Sequence, residues 1–540
     1  VAETMSPARR WAALAVLVGA VLLLAIDATV LYLAVPSLTA DLAPTATQVL
    51  WIGDIYSLAI AGLLVTMGNL ADRIGRKRLL LIGATAFGLA SALAAFAPSA
   101  GVLIAARLLL GIAGATIMPS TLSLIRSIFT DAAERTRAIA LWSAAAASGI
   151  ALGPLIGGAL LEHFWWGSVF LMNLPVIAAV LVGGAWLLPE SRNPAPERFD
   201  LLSSALSMVA IVPFVLAIKQ VTGGTASTVT VAAVGVGVIG SVLFVRRQRR
   251  ANSPMIDVEL FRNPAFSGAV LVNFTSVFAL SGVLFFFSQY LQLARQLSPF
   301  DAGIAQLPAA LSAMAAVLLV GTLLTRLGRG RAIALALLTG ALGLGLLALL
   351  ESSEQLIWVL LALVPLGLGI GISETLSVDA VVSAVPPAKA GAASSVSETA
   401  YELGVALGIA VLGSLMTLLY RLRLDLPSDL AGPAAARAED SLASATSALQ
   451  GQAEALVAAE HAFVSAMQLT TLVAGGVMVV GAGIALTLIP STRAARPGRA
   501  DAEAAADIEI AADAGVEVAA DARAAAERTI SSAGIRDQGD

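Results

Sequence analysis

The sequence predicts an all-α polytopic membrane protein with fourteen transmembrane helices, on three observations. Of 540 residues, 58% are hydrophobic and only 13% are charged, against about 45–50% and about 25% in soluble domains. The apolar residues fall in repeated runs of about 20, the length that crosses a hydrocarbon core. The basic residues collect in alternate loops. Such a composition excludes a soluble enzyme, a disordered scaffold and a nucleic-acid binder with a basic face.

The spans lie near 11–35, 50–70, 79–97, 101–123, 138–161, 167–188, 201–220, 227–245, 265–293, 300–324, 332–350, 355–377, 390–420 and 463–489. The first is too long for a signal peptide, carries Asp27 and lacks a clear cleavage site, so it reads as an uncleaved span. With that span starting inside, 26 of the 32 Lys and Arg lie on cytoplasmic segments. Lys219, Arg295, Arg421, Arg423 and Arg437 fall in external loops or at their edges, and Arg107 lies within a span. The bias satisfies the positive-inside rule and predicts a plasma-membrane protein with both termini in the cytoplasm. Trp165-Trp166-Gly167 reads as an interfacial anchor. His163 and His461 sit beside acids near span ends and read as solvent-exposed.

Two connections are long. Residues 421–462 are Ala- and Glu-rich with scattered apolar residues, and predict an extracellular helical hairpin near 434–449 and 452–466. Residues 491–540 hold 10 acids against 6 bases and no sustained apolar stripe, which fits a mobile acidic, Ala-rich cytoplasmic tail. The absence of cysteine rules out disulfides, thiol chemistry and zinc-thiolate sites. No metal pattern is visible, and no cofactor is expected.

Two internal echoes set the organisation. Gly68-Asn-Leu70-Ala-Asp72-Arg73-Ile-Gly75-Arg76-Lys77-Arg78 ends span two; a shift of 253 superposes six identical residue types on Gly321, Leu323, Arg326, Gly328, Arg329 and Arg331. Gly149-Ile-Ala-Leu-Gly153 in span five returns at a shift of 255 as Gly404-Val-Ala-Leu-Gly408 in span thirteen. The economical division is an N-terminal six-helix bundle (1–188), two inserted helices (189–250), a C-terminal six-helix bundle carrying the hairpin (251–490), and the tail (491–540). Parallel repeats of this kind place a cavity at their interface near mid-bilayer.

The run 68–78 resembles the signature loop of the major facilitator superfamily, and Gly149-Ile-Ala-Leu-Gly153-Pro154-Leu-Ile-Gly157-Gly158 resembles that superfamily's antiporter motif. Arg107-Leu-Leu-Leu-Gly111-Ile-Ala-Gly114 is similar to its fourth-helix motif. Asp27, Trp51-Ile-Gly-Asp54-Ile-Tyr56 and Ser397-Glu398-Thr-Ala-Tyr401-Glu402-Leu-Gly404 resemble the fourteen-helix drug:proton antiporters, especially quaternary-ammonium and dye exporters. The resemblance spans about 10–490 and implies the major facilitator fold. It also implies proton-driven export of varied lipophilic, mainly cationic drugs, dyes and antiseptics by a monomer. In it, Gly68, Asp72, Arg73, Gly75 and Arg76 form a latch that closes the cytoplasmic side. Gly149, Gly153, Pro154, Gly157 and Gly158 seal one conformation against proton leak. The added acid that some relatives with broad dication range carry in span ten has no counterpart in 303–324, so strong divalent recognition is not expected.

Ionisable residues inside spans are costly and mark function. Counting 1.5 Å per residue, Asp27, Asp54 and Arg107 come to similar height in the outer part of the first bundle. Arg107 cannot shed its proton, and Asp27 is its expected partner. A carboxylate that exchanges this pairing for a proton couples protonation to opening, although a static clamp uses the same residues. Glu398 and Glu402 share one helical face, with Glu402 near mid-bilayer, where it can take a proton or a cationic drug but not both. Tyr56 and Tyr401 are the aromatics expected to offer faces to a cation. Glu374 and Asp379 are expected at the cytoplasmic interface. The interior therefore reads as four acids against one Arg, with no Lys or His.

No G-x-x-x-x-G-K-S/T phosphate loop occurs, which argues against an ATP-driven pump. No nucleophile, metal cluster or output domain suggests an enzyme or a sensor. The alternative left open is a narrow exporter of one self-made antibiotic or metabolite.

Overall fold

A computed structural model describes residues 5–192, 200–222, 227–251, 254, 256–386, 389–427, 430 and 432–491. The expectation for the tail beyond 491 lies outside them. Fourteen helices are long and apolar enough to span a membrane. They are α1 (Pro7–Leu42), α2 (Ala46–Ile74), α3 (Arg76–Ala95), α4 (Ala100–Ile128), α5 (Ala132–His163), α6 (Ser168–Leu187), α7 (Leu201–Thr222) and α8 (Thr228–Arg250). After them come α9 (Pro264–Gln289), α10 (Pro299–Leu327), α11 (Arg329–Leu350), α12 (Leu356–Ser383), α13 (Ala390–Arg423) and α14 (Ala453–Leu488).

Local chemistry starts and stops these helices. Ser6, Asn263 and Ser298 each cap a helix whose next residue is proline, where the missing N–H costs nothing and φ is already helical. Thr45 and Gln48 form a capping box at α2. The sharp breaks α2/α3 and α10/α11 fall at Gly75 and Gly328, with φ of 112° and 76°, values open to glycine without strain. These are the corresponding glycines of the first sequence echo. Pro154 lies inside α5, and the helix passes through it unbroken.

The same five pairings occur in each half: α1 on α5, α2 on α4, α3 on α4, α3 on α6 and α1 on α6 recur as α9 on α13, α10 on α12, α11 on α12, α11 on α14 and α9 on α14. The halves meet through α2 on α13 and α5 on α10. In each half the glycine break docks beneath the end of the last helix. The Arg76 N–H donates to the Ser191 carbonyl at 2.9 Å, and the Arg331 N–H donates to Ser491 Oγ at 3.0 Å. The inserted α7 packs against both α13 and α2, bridging the halves.

Two local expectations change. The hairpin is two short helices, Pro433–Asp440 and Leu442–Ala448, and its second arm is the first turns of α14, because the Ala-rich segment from Ala453 continues unbroken into the last span. Asp440 anchors the hairpin, accepting from the Ala46 N–H at 2.8 Å and pairing with Arg421 at 2.9 Å. Trp166 is buried, its indole donating to Asp41 at 2.7 Å, so only Trp165 keeps the exposure of an anchor. His163 and His461 are exposed, as expected.

Candidate functional site: a charge chain across the two halves

The stripe Gly149-Gly153-Gly157 faces α1: built Cβ atoms there meet Ala25 and Leu22, Thr29 and Ile26, and Val30. Gly158 faces Pro299 and Phe300 of α10 instead, and Gly303 of α10 rests on Pro154. The motif thus binds α5 to α1 on one side and to the other half on the other. Gly404 and Gly408 do the same for α13 on α9, against Phe274 and Phe278. A Cβ on Gly149 would lie 2.6 Å from that of Ala25 and 2.9 Å from the Leu22 carbonyl oxygen. Gly149→Leu is therefore expected to lower stability by about 1–3 kcal/mol through overpacking. Gly19→Leu, facing open space, should leave the thermal unfolding midpoint in detergent unchanged; equal midpoints for both variants would refute this packing role.

This close α1/α5 packing places Asp27 deep in the first half. Asp27 is fully buried, 3.2 Å from Arg107 Nη1, and accepts from Asn173 Nδ2 at 2.7 Å. Asn173 also donates to Ser91 at 3.1 Å. Arg107 donates from Nε to the Ile52 carbonyl at 3.3 Å, and its guanidinium lies 4.5 Å above the Tyr56 ring. The expected Asp27–Arg107 pair is present. Asn173 was not singled out in the sequence; the available signal was an amide inside an apolar span.

Asp54 does not join that pair. Its carboxylate is held by Lys219 of α7, at 2.8 Å to Oδ1 and 2.6 Å to Oδ2, with both side chains fully buried. The Lys219 ammonium also sits 3.6 Å from the Trp51 ring centroid. Lys219, expected at the edge of an external loop, thus lies in the interior, and the expectation of an interior without lysine is corrected. α7 continues to Thr222, so Lys219 is still inside the helix, one turn below its end. Toward the other end of α7, Ser207 donates to the Gly62 carbonyl at 3.2 Å, and Ser204 and Thr66 share a hydrogen bond.

In the second half, Glu402 is buried and lies in hydrogen-bonding range of Ser57 of α2, while its Oε2 has no partner. Glu398 and Tyr401 are half-buried on the same helix. Glu374 is corrected from the interface to this cluster: it is half-buried and close enough to Glu398 and Tyr401 to act on their charge. The reason is length, since α12 runs nine residues beyond it to Ser383, about 13 Å at 1.5 Å per residue. Asp379 is exposed and pairs with Arg329 at 2.7 Å. None of the three glutamates forms an ion pair among the described residues.

The interior charges are therefore segregated. Among the described residues, two acids and two bases neutralise one another in the first half and α7, while Glu374, Glu398 and Glu402 form a cluster without an ion pair in the second. Tyr32 and Tyr56 lie between, each near enough to both Arg107 and Glu402 to be influenced by their charge. Tyr56, expected as a substrate face, is already covered by Arg107; Tyr401 is not.

Contacts between the halves cluster at the hairpin end. Gln292 Nε2 donates to the Leu33 carbonyl at 3.0 Å, and the Phe300 N–H to Glu162 at 3.4 Å. Tyr32 packs edge-on against Phe285 at 5.5 Å, and Leu50 lies against Gly413. At the opposite end the loop residues bond within their own half. Asp72 pairs with Arg76 at 2.9 Å, Arg76 reaches Ser191 at 3.2 Å, and Arg73 is exposed. Gly68 lies beside Pro119 and Gly75 beside Glu190. The loop is unlatched from the second half in this conformation.

Residues 17–409 match the Major Facilitator Superfamily. The chain is 46% identical over 486 residues to the multidrug efflux pump LfrA of Mycolicibacterium smegmatis, covering 89% of this chain and 96% of that protein. It is 37% identical to the methyl viologen resistance protein SmvA of Salmonella typhimurium, covering 87% and 97% respectively. Its backbone superposes on the crystal structure of a bacterial homologue of the human lysosomal transporter Spinster, inward-facing and unoccupied, with a TM-score of 0.62 over 90% of this chain and 100% of that one, at 17% identity.

Proposed function

Because the chain belongs to the Major Facilitator Superfamily, we propose that it is a proton-coupled antiporter that exports lipophilic, mainly cationic drugs, dyes and antiseptics through the plasma membrane. The observation that carries this reading is the segregation of charge: a neutralised Asp27–Arg107 pair in one half, uncompensated Glu374, Glu398 and Glu402 in the other, and tyrosines between. The name of LfrA, multidrug efflux pump, supports it.

With both termini in the cytoplasm, the unlatched end faces inward and the hairpin end is the sealed outer side. A lipophilic cation entering from the cytoplasm meets three carboxylates and the face of Tyr401. Binding of the cation favours loss of any proton these acids hold, because a like charge at the same carboxylate is excluded. Asp27 is fully buried against Arg107 and Asn173 and changes protonation only by giving up Arg107. A proton on Asp27 therefore frees Arg107 and shifts α1 against α4, which couples protonation to rocking of the halves. The latch residues Asp72, Arg73 and Arg76 close the inner side once the halves rock. Glu374 supplies the second carboxylate that span ten lacks, which brings dications into the proposed range, as the name of SmvA suggests for that relative.

The test is purified protein in liposomes, watching for proton release on addition of an ethidium-like monovalent cation. Release is expected. Silence toward several such cations from folded, oriented protein would overturn the multidrug reading. Glu402→Gln is expected to weaken cation transport about tenfold, equivalent to about 1.4 kcal/mol, while neutral lipophilic substrates are spared. Equal loss of both classes would remove Glu402 from the cation site.

A further inference from the structure

Glu351 ends α11 on the hairpin side of the second half, and only 1% of it is exposed. Its carboxylate meets a single donor, the Thr471 hydroxyl of α14 at 3.2 Å, and its Oε2 has no partner. An ionised carboxylate in that setting is expensive, whereas a protonated one is merely a buried hydroxyl. Burial, opposed only by the Thr471 hydrogen bond, pushes its pKa up to about 8. The charged and titratable groups around it are Tyr290 and Arg295 beyond the end of α9, and Glu354 in its own loop. The Tyr290 hydroxyl is committed to the Glu351 carbonyl at 2.7 Å. Arg295 is committed to the carbonyls of Ser353 and Glu354 at 2.6 and 2.9 Å. From α14, Gln468 donates to Ser352 at 3.3 Å. Among the described residues, no cation pairs with the Glu351 carboxylate.

Those contacts lead to the seal between the halves. Tyr290 opens the π-helical turn Tyr290–Ala294 that finishes α9, a geometry that concentrates at functional sites. In the same turn Gln292 crosses to the Leu33 carbonyl of α1. One continuous path therefore runs from Glu351 through Tyr290 and the π turn to the contact that closes the hairpin side.

We propose that Glu351 is a second proton-binding site, belonging to the outer seal: protonated, it holds the end of α9 and keeps the seal shut, and release of its proton to external water opens it. When the O–H bond breaks, the proton leaves to the outside and the carboxylate draws water into the α11/α14 contact. That hydration displaces the loop whose carbonyl Tyr290 holds. The proposal rests on the orientation given above.

The chain has no cysteine, so a single reporter thiol is clean. Leu50→Cys places one within the seal, beside Gly413. Its reaction with an impermeant maleimide, normalised to a free peptide thiol, is expected to be several-fold faster at external pH 9 than at pH 6.5. Added Glu351→Gln is expected to hold it at the slow rate at both. Melting supplies a second readout. Between an ordinary pKa near 4.5 and about 8, the unfolded chain is ionised and the fold is protonated, so stability falls as pH rises and levels off above 8. Glu351→Gln should therefore raise the melting temperature more at pH 8.5 than at pH 5. An unchanged pH response of labelling in Glu351→Gln, no response in the parent, or a melting shift equal at both pH values would each overturn the proposal. Both readouts work without drug, so failure of drug-evoked proton release leaves them to be judged separately.

Discussion

Asp27→Asn is expected to abolish drug-evoked proton release while the fourteen helices remain folded in the membrane. Asparagine keeps the volume and an oxygen that Asn173 or Arg107 can reach, but it cannot exchange a charge for a proton. The loss should reach about 100-fold or more, the equivalent of about 3 kcal/mol. It should come with a lower melting temperature, because Arg107 is left buried with the Ile52 carbonyl and the Tyr56 ring as its remaining partners. Removing one member of a buried pair costs about 3–5 kcal/mol. The double variant Asp27→Asn/Arg107→Gln removes the orphaned charge, so it should regain most of the stability and none of the coupling. Transport restored along with stability would make the pair a static clamp and defeat the coupling argument.

Lys219→Met should be the second most damaging change, for a different reason. It leaves the Asp54 carboxylate fully buried without its cation and strips the polar attachment of the upper part of α7 to α2, at a cost again of about 3–5 kcal/mol. The partner variant Asp54→Asn/Lys219→Met replaces a buried ion pair with neutral groups, which is often tolerated. It is expected to restore both the melting temperature and drug efflux. The two ion pairs are thereby distinguished: one double variant recovers only stability, and the other recovers stability and transport. If the Asp54/Lys219 double variant folds but exports nothing, Asp54 belongs with Asp27 in proton coupling.

The sequence made the Asp27–Arg107 pair legible because an arginine within a span demands a compensating acid and Asp27 stood at its height. Lys219 was not legible in the same way. It stands close to the apparent end of an apolar run and before a glycine pair, where hydropathy cannot tell the last turn of a helix from the start of a loop. Glu374 was misplaced for a similar reason: an end estimated at residue 377 put it at the interface, whereas a helix reaching Ser383 carries it inward. Glu351 stands just past the estimated end of span eleven, and nothing in the sequence shows that α14 and the end of α9 cover it.

By itself the sequence determined the fourteen spans, the alternation of basic loops, the duplicated glycine breaks and the glycine stripe on α5. Each of these follows from forces acting on one segment at a time: the thickness of the apolar layer, the cost of charge within it, and the φ freedom of glycine. The tertiary structure decided which polar groups meet. Asp54 with Lys219 and Asp27 with Asn173 join helices distant in the chain, the first pair across 165 residues, and Glu374 approaches Glu398 from the neighbouring helix. Such pairings depend on helix rotation and on which helix lies alongside, and within a nearly uniform apolar background neither leaves a local mark.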